Sequence, residues 1–305
     1  MRAVPIKIIK KGIADTIQDQ GRYGFQHIGI QVNGSMDYLS AQLANALVNN
    51  PIDYPVFELH FPASSFCFTS NYIICITGAN FVPVINEKSI ELNKPIQVFK
   101  NDVLQFLKPI EGSFAYLAIQ GKINAPAWLN SQSFAATTLQ KDTEYDTTPL
   151  ENANFTNDAL HTDFIASIQN TIFSTSPIRF IPGPAWNDLT EASLQQLLTQ
   201  PFFTTLQANR MGYLLKGPML NLTKPNQYLS AAVTNGTLQL LPNGSLMVLM
   251  ANHQTIGGYA NLGQIILVDL PRIAQLKSGS SLHFNVTHVN NAHQLYQQIQ
   301  KGFIH

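Results

Sequence analysis

Charged residues are scarce in this chain. Only 12% of its 305 residues are Asp, Glu, Lys or Arg, and its 18 basic residues balance its 18 acidic ones. This share is about half of that in an average soluble protein. Without a basic excess the chain has no electrostatic basis for binding nucleic acid or an anionic membrane, so we expect neither partner. A weakly charged surface is easily desolvated, which favours contacts with other protein subunits.

Cysteines and long apolar segments are also rare. Cys67 and Cys75 are the only cysteines in the sequence. Because both lie in apolar, strand-like runs, we expect two buried free thiols rather than a disulfide or a redox pair. No segment is apolar over the length that spans a bilayer, and the apolar run near the N-terminus is too short for a secretory signal. These absences predict a cytoplasmic protein.

The abundant residues are those that form β-sheets. Hydrophobic residues make up 45% of the chain, enough for one large domain or two ordinary ones. Val, Ile, Phe, Tyr and Thr recur in short runs separated by turn residues, a pattern typical of antiparallel strands. Asn-Gly pairs at 33–34, 235–236 and 243–244 are typical of hairpin turns. The predicted strands cover residues 6–9, 72–77, 96–99, 103–107, 114–119, 178–181, 237–241, 246–250, 264–270 and 282–286.

Few helices are expected. Apolar residues at helical spacing predict one helix over 37–48, and a capping box of Asp188 and Glu191 predicts a second one through residue 198. A third helix over 291–301 is predicted to end at Gly302. We interpret the polar stretch 151–176 as a linker or excursion between two β units. The chain is therefore predicted to be mainly β, with two barrel-like domains at residues 1–165 and 166–305.

The common catalytic and metal-binding motifs are missing. The glycines of 258–263 have the spacing of a phosphate-binding loop, but Gln264 and Ile265 follow where Lys and Ser or Thr are required. Histidines at 283, 288 and 293 would alternate between the two sides of a strand, so we predict no metal site there. There is no H-E-x-x-H and no G-x-S-x-G. Generic motifs thus indicate no enzyme class.

Longer motifs identify a family. In the N-terminal half they are T-I-Q-D-Q-G-R at 16–22, G-F-Q-H-I-G at 24–29, G-S-M-D at 34–37, L-A-N at 43–45, F-E-L at 57–59 and I-T-G-A at 76–79. In the C-terminal half they are I-P-G-P at 181–184, N-R-M-G-Y at 209–213, Q-T-I-G-G-Y at 254–259 and D-L-P-R-I-A-Q-L-K-S-G at 269–279. In this order and spacing they resemble the KipA family, also called allophanate hydrolase subunit 2-like or the 5-oxoprolinase C subunit. The resemblance extends over nearly the whole chain.

The resemblance implies a fold, an activity and partners. The fold would be two cyclophilin-like β-barrel domains. The chain would act with a KipI-like protein, which is the B subunit of 5-oxoprolinase, and with a LamB/YcsF-like protein, which is the A subunit. Together they would be an ATP-dependent lactam hydrolase that opens pyroglutamate to glutamate, active only as a complex. ATP would be bound by the partner subunits or shared with them.

Two alternative functions stay open. The first is a KipA-type regulatory protein that binds a KipI-like kinase inhibitor. The second is a carboxyltransferase that acts on carboxybiotin and urea-like amides. The sequence contains no biotinyl-lysine motif of the A-M-K-M kind, so this chain carries no biotin and the second alternative requires a separate carrier.

The polar loop between the strands predicted at 246–250 and 264–270 is the strongest site candidate. Consecutive glycines, Gly257 and Gly258, allow backbone N–H groups to approach a carboxylate or an oxyanion closely. The loop also offers hydrogen-bonding side chains and an aromatic wall, at His253, Gln254, Thr255 and Tyr259. From the residues alone, a wide turn that uses glycine for positive φ and Asn or Thr for local backbone bonds is favoured over a binding site; the family resemblance reverses that preference.

Arg210 is the candidate anion clamp, because a guanidinium grips a carboxylate or phosphate with two hydrogen bonds. A structural arginine paired with an acid is the alternative. We propose His253 as the donor of a proton to the ring nitrogen of the lactam, since the ordinary pKa of histidine is about 6.5. His253 and Arg210 are thus the catalytic candidates. Asn209 and Tyr213, which flank Arg210 in N-R-M-G-Y, are counted as substrate-binding candidates.

Further candidates lie outside this loop. Arg22 and Asp37 belong to the N-terminal motifs, where fixing the loop between Gly21 and Gly34 is favoured over ligand contact. The remaining polar candidates have a supporting role as an equal alternative, and are Asn45, Glu58 and Gln239.

The sequence departs from the family pattern at three places. Residues 130–142 lack the glycines and the arginine of a G-S-R-S-like loop, so a backbone anion site is expected to be missing there. Members often carry an acid where this chain has Asn209 or Asn252, and a proline where it has Ala260. An amide cannot exchange protons as a carboxylate does, which leaves a divergent substrate or a lower activity open.

Overall fold

The computed structural model describes residues 4–134, 137–149, 162–224 and 228–304. The chain divides into two compact units. Unit 1 comprises residues 1–22, 33–172 and 301–305, and unit 2 comprises residues 23–32 and 173–300. Unit 2 therefore includes a short N-terminal segment that interrupts unit 1 in sequence. The domain boundary predicted between residues 165 and 166 stays a prediction. No helix in the described part of the chain is both long and apolar enough to cross a membrane.

The described residues of unit 1 form two antiparallel sheets built from twelve strands. They are β1 (Val4–Lys10), β2 (Thr16–Gln18), β3 (Val56–Leu59), β4 (Ser65–Phe68), β5 (Tyr72–Asn80), β6 (Pro83–Ile85), β7 (Lys88–Ser89), β8 (Ile96–Val98), β9 (Val103–Phe106), β10 (Glu111–Ile119), β11 (Lys122–Ile123) and β12 (Glu144–Thr148). One sheet has the order β11-β12-β1-β4-β9-β6-β7, and the other β2-β3-β10-β5-β8.

Alternating apolar residues of both sheets form one core in unit 1. Ile6 and Ile8 of β1 are fully buried with Phe57 of β3 and Phe66 of β4. The rings of Phe57 and Phe66 lie 5.1 Å apart, so the two sheets meet through their aromatic residues. Because side chains of a strand alternate between two faces, the intervening residues of β3, β5 and β10 lie on the opposite face of the five-stranded sheet.

Helix α1 (Tyr38–Leu47) covers that opposite face. Asp37 caps it, because its carboxylate accepts hydrogen bonds from the Ser40 N–H at 2.9 Å and from the Ser40 hydroxyl at 2.6 Å. The helix predicted over 37–48 is therefore confirmed. Helix α2 (Thr162–Ile172) also belongs to unit 1 and buries Ile168 and Ile172. This helix was not predicted, because residues 151–176 were interpreted as a polar linker or excursion; residues 151–161 lie outside the described part.

Unit 2 is built on an eight-stranded sheet that curls into a nearly closed barrel. Ten strands occur in this unit, β13 (Ile178–Pro182), β14 (Phe202–Thr204), β15 (Gly212–Lys216), β16 (Ala231–Ala232), β17 (Thr237–Leu240), β18 (Leu246–Leu249), β19 (Ile256–Gly257), β20 (Ala260–Ile265), β21 (Ser281–Leu282) and β22 (Phe284–Val286). The order is β21-β14-β15-β18-β17-β20-β13-β22. The two edge strands are separated by His283 alone, so one continuous segment brings the ends of the sheet together.

A separate two-stranded ribbon lies in unit 2. It consists of β16 and β19, which pair antiparallel with Ala231 opposite Gly257 and Ala232 opposite Ile256. The Asn-Gly pair at 235–236 therefore does not form the predicted hairpin, because β16 pairs with β19 instead of β17. The pair at 243–244 does join two antiparallel neighbours, β17 and β18, as predicted.

The prediction of a mainly β chain with few helices is confirmed, and most predicted strands are present. Several details were wrong. The strand predicted over 264–270 ends at Ile265, and helix α4 follows at Leu270–Gln275 after a short 3-10 turn. Helix α3 (Glu191–Thr199) is capped by Thr190, whose side chain accepts from the Ser193 N–H, and not by Asp188.

The C-terminal helix is also longer than predicted. Helix α5 (Val289–Ile304) continues through Gly302, which was expected to end it. A Cβ at Gly302 would lie 2.1 Å from the ring of Phe164. The glycine therefore permits close packing on an aromatic ring, and its function is not to terminate the helix.

Candidate functional site

The candidate loop begins where β15 and β18 stop pairing as regular strands. Beyond the strand ends, the Met250 N–H donates to the Met211 carbonyl at 3.1 Å and the Asn252 N–H donates to the Arg210 carbonyl at 2.8 Å. These bonds place Arg210 beside Asn252, and Nη2 of Arg210 donates to Oδ1 of Asn252 at 3.2 Å. Two residues 42 positions apart in sequence thus become neighbours because the ladder continues irregularly past the strands.

A third group holds Asn252 in place. Nε2 of Gln31, in the N-terminal segment of unit 2, donates to the Asn252 carbonyl at 2.9 Å. Asn252 is buried, and both its side chain and its backbone are engaged. Gln31 was not among the predicted site residues, because nothing in its local sequence shows that residues 23–32 belong to unit 2.

His253 is buried, with 3% of its surface exposed. Burial lowers its pKa, and the hydrogen bond to the backbone of Gln254 partly opposes that effect. Nδ1 lies 2.5 Å from the Gln254 carbonyl oxygen. Since a carbonyl only accepts, Nδ1 carries the proton and the neutral ring presents the lone pair of Nε2. The neutral form therefore favours His253 as a proton acceptor first.

Gly257 marks a close approach between the loop and β17. A Cβ at this position would lie 2.6 Å from Nε2 of Gln239, 3.2 Å from Cγ1 of Val233 and 3.6 Å from Nε2 of Gln254. Neither Gly257 nor Gly258 has a positive φ. The wide-turn explanation, in which glycine supplies positive φ, is therefore wrong for both residues. A side chain at Gly257 would push the end of the Gln239 side chain aside.

The outer part of the loop is open. Gly258 and Tyr259 are exposed, and the nearest atom to a Cβ at Gly258 would be Oγ of Ser230 at 3.4 Å. Thr255 is partly buried, and its carbonyl accepts from the Val233 N–H at 3.1 Å. The loop thus has an exposed aromatic rim and a buried polar floor at His253.

The residues that flank Arg210 have local structural contacts. The exposed Asn209 accepts from the Met211 N–H through Oδ1 at 2.8 Å and donates to the Gln207 carbonyl at 3.0 Å. The hydroxyl of the buried Tyr213 donates to the Ala274 carbonyl at 3.1 Å. These bonds position the turn before β15, and the substrate-binding role of both residues stays a prediction.

The chain matches a known protein family over most of its length. The model of the carboxyltransferase domain, subdomain A and B, matches residues 28–286, which include the whole loop and Arg210. The chain belongs to the carboxyltransferase domain family. The motif resemblance found in the sequence is confirmed at this level.

Other members of the carboxyltransferase domain family extend the comparison. The chain is 28% identical to the 5-oxoprolinase C subunit of Escherichia coli (strain K12) over 306 residues, which cover 98% of this chain and 96% of that protein. It is equally similar, at 28% over 289 residues, to the 5-oxoprolinase C subunit of Haemophilus influenzae, covering 92% and 90% of the two chains. Urea amidolyase of Lachancea kluyveri is 40% identical over 128 residues, or 42% of this chain and 7% of that protein.

Solved structures support the fold of the carboxyltransferase domain. The urea amidolyase of K. lactis superposes with a TM-score of 0.89 at 22% identity, covering 99% of this chain. The chain spans 20% of that much longer protein. The likeness therefore concerns the fold alone.

Four predicted site residues of this carboxyltransferase-domain chain lie in unit 1, each with partners of its own. Arg22 is buried, and its guanidinium lies 5.2 Å from the ring centres of both Trp128 and Phe134. Its Nη2 donates to the Ser133 carbonyl. Burial lowers its pKa. Arg22 therefore anchors the 128–134 segment, which is distant in sequence from the loop between Gly21 and Gly34 that the structural alternative assigned to it.

Asp37 and Glu58 belong to one buried polar cluster under α1. Oε2 of Glu58 accepts from the Met36 N–H and from the Tyr116 hydroxyl, each at 2.8 Å, and the same hydroxyl accepts from the Asp37 N–H at 2.7 Å. Glu58 and Tyr116 are directly opposite on neighbouring strands. Burial raises the pKa of Tyr116 well above its ordinary value, so the phenol stays protonated. The cluster fixes the start of α1 on its sheet.

Asn45 ties the other end of α1 to the sheet. Its Nδ2 donates to the Tyr54 carbonyl at 2.7 Å, and its Oδ1 accepts from Asn50 at 3.0 Å. Nδ2 of Asn50 also donates to the Ile119 carbonyl at 2.8 Å. The roles of Asn45, Asp37, Glu58 and Arg22 as ligand contacts stay predictions, while their structural bonds explain why such polar residues are buried here.

Asp19 is a residue that the sequence prediction missed. Its carboxylate accepts hydrogen bonds from the Ser131 hydroxyl at 2.7 Å, the Gln132 N–H at 2.6 Å and the Ser133 hydroxyl at 2.8 Å. These donors lie in the stretch that departs from the G-S-R-S-like loop. A carboxylate of the protein itself thus occupies the donors of residues 131–133. The sequence shows Asp19 as the acid of the T-I-Q-D motif, but the motif does not indicate which residues bind it.

No metal ligand set is found in the described part of the chain. No three His, Cys, Asp or Glu residues there are grouped to hold an ion, and His283, His288 and His293 are all exposed. Both cysteines are free thiols, as predicted; Cys75 is buried and burial raises its pKa, whereas Cys67 is partly exposed. The cysteines therefore offer no structural sign of a redox site.

Proposed function

We propose that this chain is the C subunit of an ATP-dependent 5-oxoprolinase, which opens the lactam of 5-oxoproline to give glutamate. The observation that supports this most strongly is the similarity to two 5-oxoprolinase C subunits along almost the whole of each chain. Such a protein needs partners, and the proposed ones are a KipI-like and a LamB/YcsF-like protein. The sparsely charged surface, with 12% charged residues, is compatible with subunit contacts.

Arg210 is proposed to bind the carboxylate of 5-oxoproline. Its guanidinium is partly exposed, and its bond to Oδ1 of Asn252 occupies one donor and fixes the direction of the fork. A guanidinium has five N–H donors, and its planar fork can grip a carboxylate with two of them side by side. Because Asn252 is neutral, the positive charge of Arg210 is not cancelled by this partner.

His253 is proposed to move protons during ring opening. The reaction starts when the lactam oxygen attacks the γ-phosphate of ATP and ADP leaves. Water then adds to the activated carbon, the C–N bond breaks, and the nitrogen takes a proton. The product of this step is γ-glutamyl phosphate. A second water molecule hydrolyses it to glutamate and phosphate. Nε2 of the neutral His253 accepts a proton from the attacking water and returns it to the ring nitrogen.

The glycine pair is proposed to stabilise the negative charge that develops on the oxygen bound to the reacting carbon. Backbone N–H groups that are already oriented stabilise an oxyanion without reorganisation, and the partly exposed Gly257 and exposed Gly258 have no side chains in the way. Removal of one such donor typically slows a reaction by about 10²–10³-fold.

ATP is assigned to the partner subunits. The run Gly258–Gly263 enters strand β20, and a Cβ at Gly263 would lie 2.5 Å from the ring of Phe180. These residues therefore pack in a sheet and do not form a phosphate-binding loop. The chain supplies the lactam site, and the phosphate chemistry takes place with groups from other subunits.

Reconstitution tests the proposal. The purified chain is mixed with the KipI-like and LamB/YcsF-like proteins of the same source, with 5-oxoproline and ATP, and each protein is omitted in turn. We expect glutamate and ADP in equal amounts only when all three are present. His253→Asn should abolish most of the turnover without preventing assembly. Turnover that persists when this chain is omitted would remove the proposal, and a stable complex without turnover would favour the regulatory function.

A carboxyltransferase reaction is the second candidate. It is favoured by the segment that is 40% identical to urea amidolyase over 128 residues. It predicts that the chain transfers the carboxyl group of carboxybiotin, carried by a separate protein, to urea or a related amide. Carboxylated urea formed from a carboxybiotin donor, with no glutamate from 5-oxoproline, would support this candidate over the first.

A further inference from the structure

One buried side chain of unit 2 has no hydrogen-bond partner at either end. Gln239 of β17 is fully buried, and neither its Nε2 nor its Oε1 is bonded to any residue that the structure describes. Burial of an unpaired carboxamide destabilises a fold. An apolar side chain of similar size would remove that cost, so the presence of Gln239 calls for a function that its burial alone does not supply.

A neighbouring glutamine on the same sheet gives the contrast. The Gln264 carboxamide of β20 accepts from the hydroxyls of Thr234 at 2.9 Å and Thr237 at 3.1 Å, and donates to the Asn235 carbonyl at 2.7 Å. Glutamines of this sheet are therefore satisfied where the fold supplies partners. Gln239 differs because what lies over it is the backbone of Gly257.

A short two-stranded ribbon lies over Gln239. Gly257 belongs to the ribbon of β16 and β19, which has two residues in each strand, and a Cβ at Gly257 would lie 2.6 Å from Nε2 of Gln239. Ala231, Ala232 and Ile256 of the ribbon are exposed. Ribbons of two short strands are marginal in stability. A small outward movement of the ribbon would uncover the carboxamide beside the candidate loop.

The chemistry of the unpaired group specifies a ligand. A carboxamide presents an N–H donor and an oxygen acceptor side by side, so its complement is an amide whose own N–H and C=O lie on the same edge. A ring forces this cis arrangement in a lactam, whereas ordinary peptide bonds are trans and present the two groups on opposite sides. The pairing is available for either orientation of the Gln239 carboxamide, because both of its ends are unpaired.

We infer that Gln239 is the specificity-determining residue that recognises the cis-amide edge of the substrate, and that the ribbon of β16 and β19 opens to expose it. That the cis-amide is 5-oxoproline rests on the proposed function; the recognition of a cis-amide does not. Gln254, whose Nε2 would lie 3.6 Å from a Cβ at Gly257, is the second carboxamide near this position.

The test combines binding, turnover and stability of the full chain. Gln239→Leu and Gln239→Met are compared with Gln264→Leu, the matched control. Because an unpaired amide is removed, both Gln239 variants should melt at a higher temperature than the wild type, and Gln264→Leu should melt at a lower one. In the reconstituted complex the Gln239 variants should raise the KM for 5-oxoproline by about tenfold or more, since two neutral hydrogen bonds are lost. Gln264→Leu should leave this KM unchanged.

Three small amides test which ligand the Gln239 side chain binds. The side-chain amide signal of Gln239, assigned by its absence in Gln239→Leu, is followed by NMR as 2-pyrrolidinone, N-methyl-2-pyrrolidinone or urea is added. We expect 2-pyrrolidinone to shift the signal and to speed hydrogen exchange at Ile256 and Gly257, as the ribbon opens. The N-methyl compound should do neither, because it lacks the N–H. A response to urea with none to the lactam would overturn lactam recognition and move the ligand to urea-like amides.

The outcomes separate this inference from the proposed function. If 2-pyrrolidinone shifts the Gln239 signal but the complex makes no glutamate, the proposed function fails and the cis-amide site stands. If glutamate is made and the Gln239 variants keep the wild-type KM, the inference is overturned while the function stands. Equal responses to 2-pyrrolidinone and its N-methyl derivative also overturn the inference, as does a response to none of the probes.

Discussion

Asp15 gives unit 1 a pH dependence whose sign and size follow from the structure. The side chain is 1% exposed, and its carboxylate accepts from the N–H groups of His60 and Ser64, each at 2.6 Å. Burial raises its pKa from 3.8 to about 6, although these hydrogen bonds act in the opposite direction. The folded state therefore binds the proton more tightly than the unfolded state does.

The stability that Asp15 contributes is fully present below pH 3.8 and is lost as the pH rises through about 6. At about 1.4 kcal/mol for each unit of pKa, the difference amounts to about 3 kcal/mol in the free energy of unfolding. About 2 kcal/mol of this falls between about pH 4 and about pH 7.

The assay compares the wild type with Asp15→Asn, which cannot titrate. Denaturant melts of unit 1 are followed by the fluorescence of Trp128 in a Trp186→Phe background. Asn is destabilising at every pH, because its NH₂ faces a backbone N–H. The informative quantity is the difference in unfolding free energy, which should shrink by about 2 kcal/mol from about pH 4 to about pH 7 as the wild type loses stability. A difference that is constant over this range, or that grows, would refute the reasoning.

Three further predictions concern unit 2. Gly257→Ala should lower the melting temperature by several degrees, because its Cβ would lie 2.6 Å from a carboxamide nitrogen, while Gly258→Ala should shift it little; thermal melts of both variants decide this. Arg210→Lys should raise the KM for 5-oxoproline about tenfold with an unchanged melting temperature, because an ammonium cannot grip a carboxylate with a planar fork; steady-state kinetics of the complex measure it. Asp269→Asn should cost about 3–5 kcal/mol in denaturant melts, because the fully buried Asp269 accepts two bonds from the Arg179 guanidinium, at 2.9 and 2.6 Å; a loss below about 1 kcal/mol contradicts the ion-pair explanation.

Local patterns in the sequence correctly predicted elements that are stabilised by residues close to one another in the chain. Helix α1 was found from its apolar spacing, and it starts at a capping aspartate as that pattern requires. The apolar run at 264–270 misled the prediction, because buried helices and buried strands have the same composition. Gly302 misled it too, since a glycine that packs on Phe164 looks in sequence like one that ends a helix.

The candidate site was predicted most completely where it is contiguous in sequence. The loop from His253 to Tyr259 was found from its polar residues and glycines. The neighbours of this loop come from distant positions. Gln31, which was not predicted, binds Asn252, and Gln239, which was predicted only as a polar candidate, lies beside Gly257; no local pattern indicates either contact. The supporting roles of the unit 1 candidates depend on partners across strands, so the sequence left ligand contact and structural bonding as alternatives.

Glutamate formation by the reconstituted three-protein complex tests the central claim most directly. Glutamate and ADP are measured in the same samples, from 5-oxoproline and ATP, before and after this chain is added to the two partner proteins. We expect both products to appear in equal amounts only after this chain is added. Addition of the His253→Asn variant instead should produce neither. Glutamate formed before the addition, or none formed by a complex that contains all three proteins, would contradict the account.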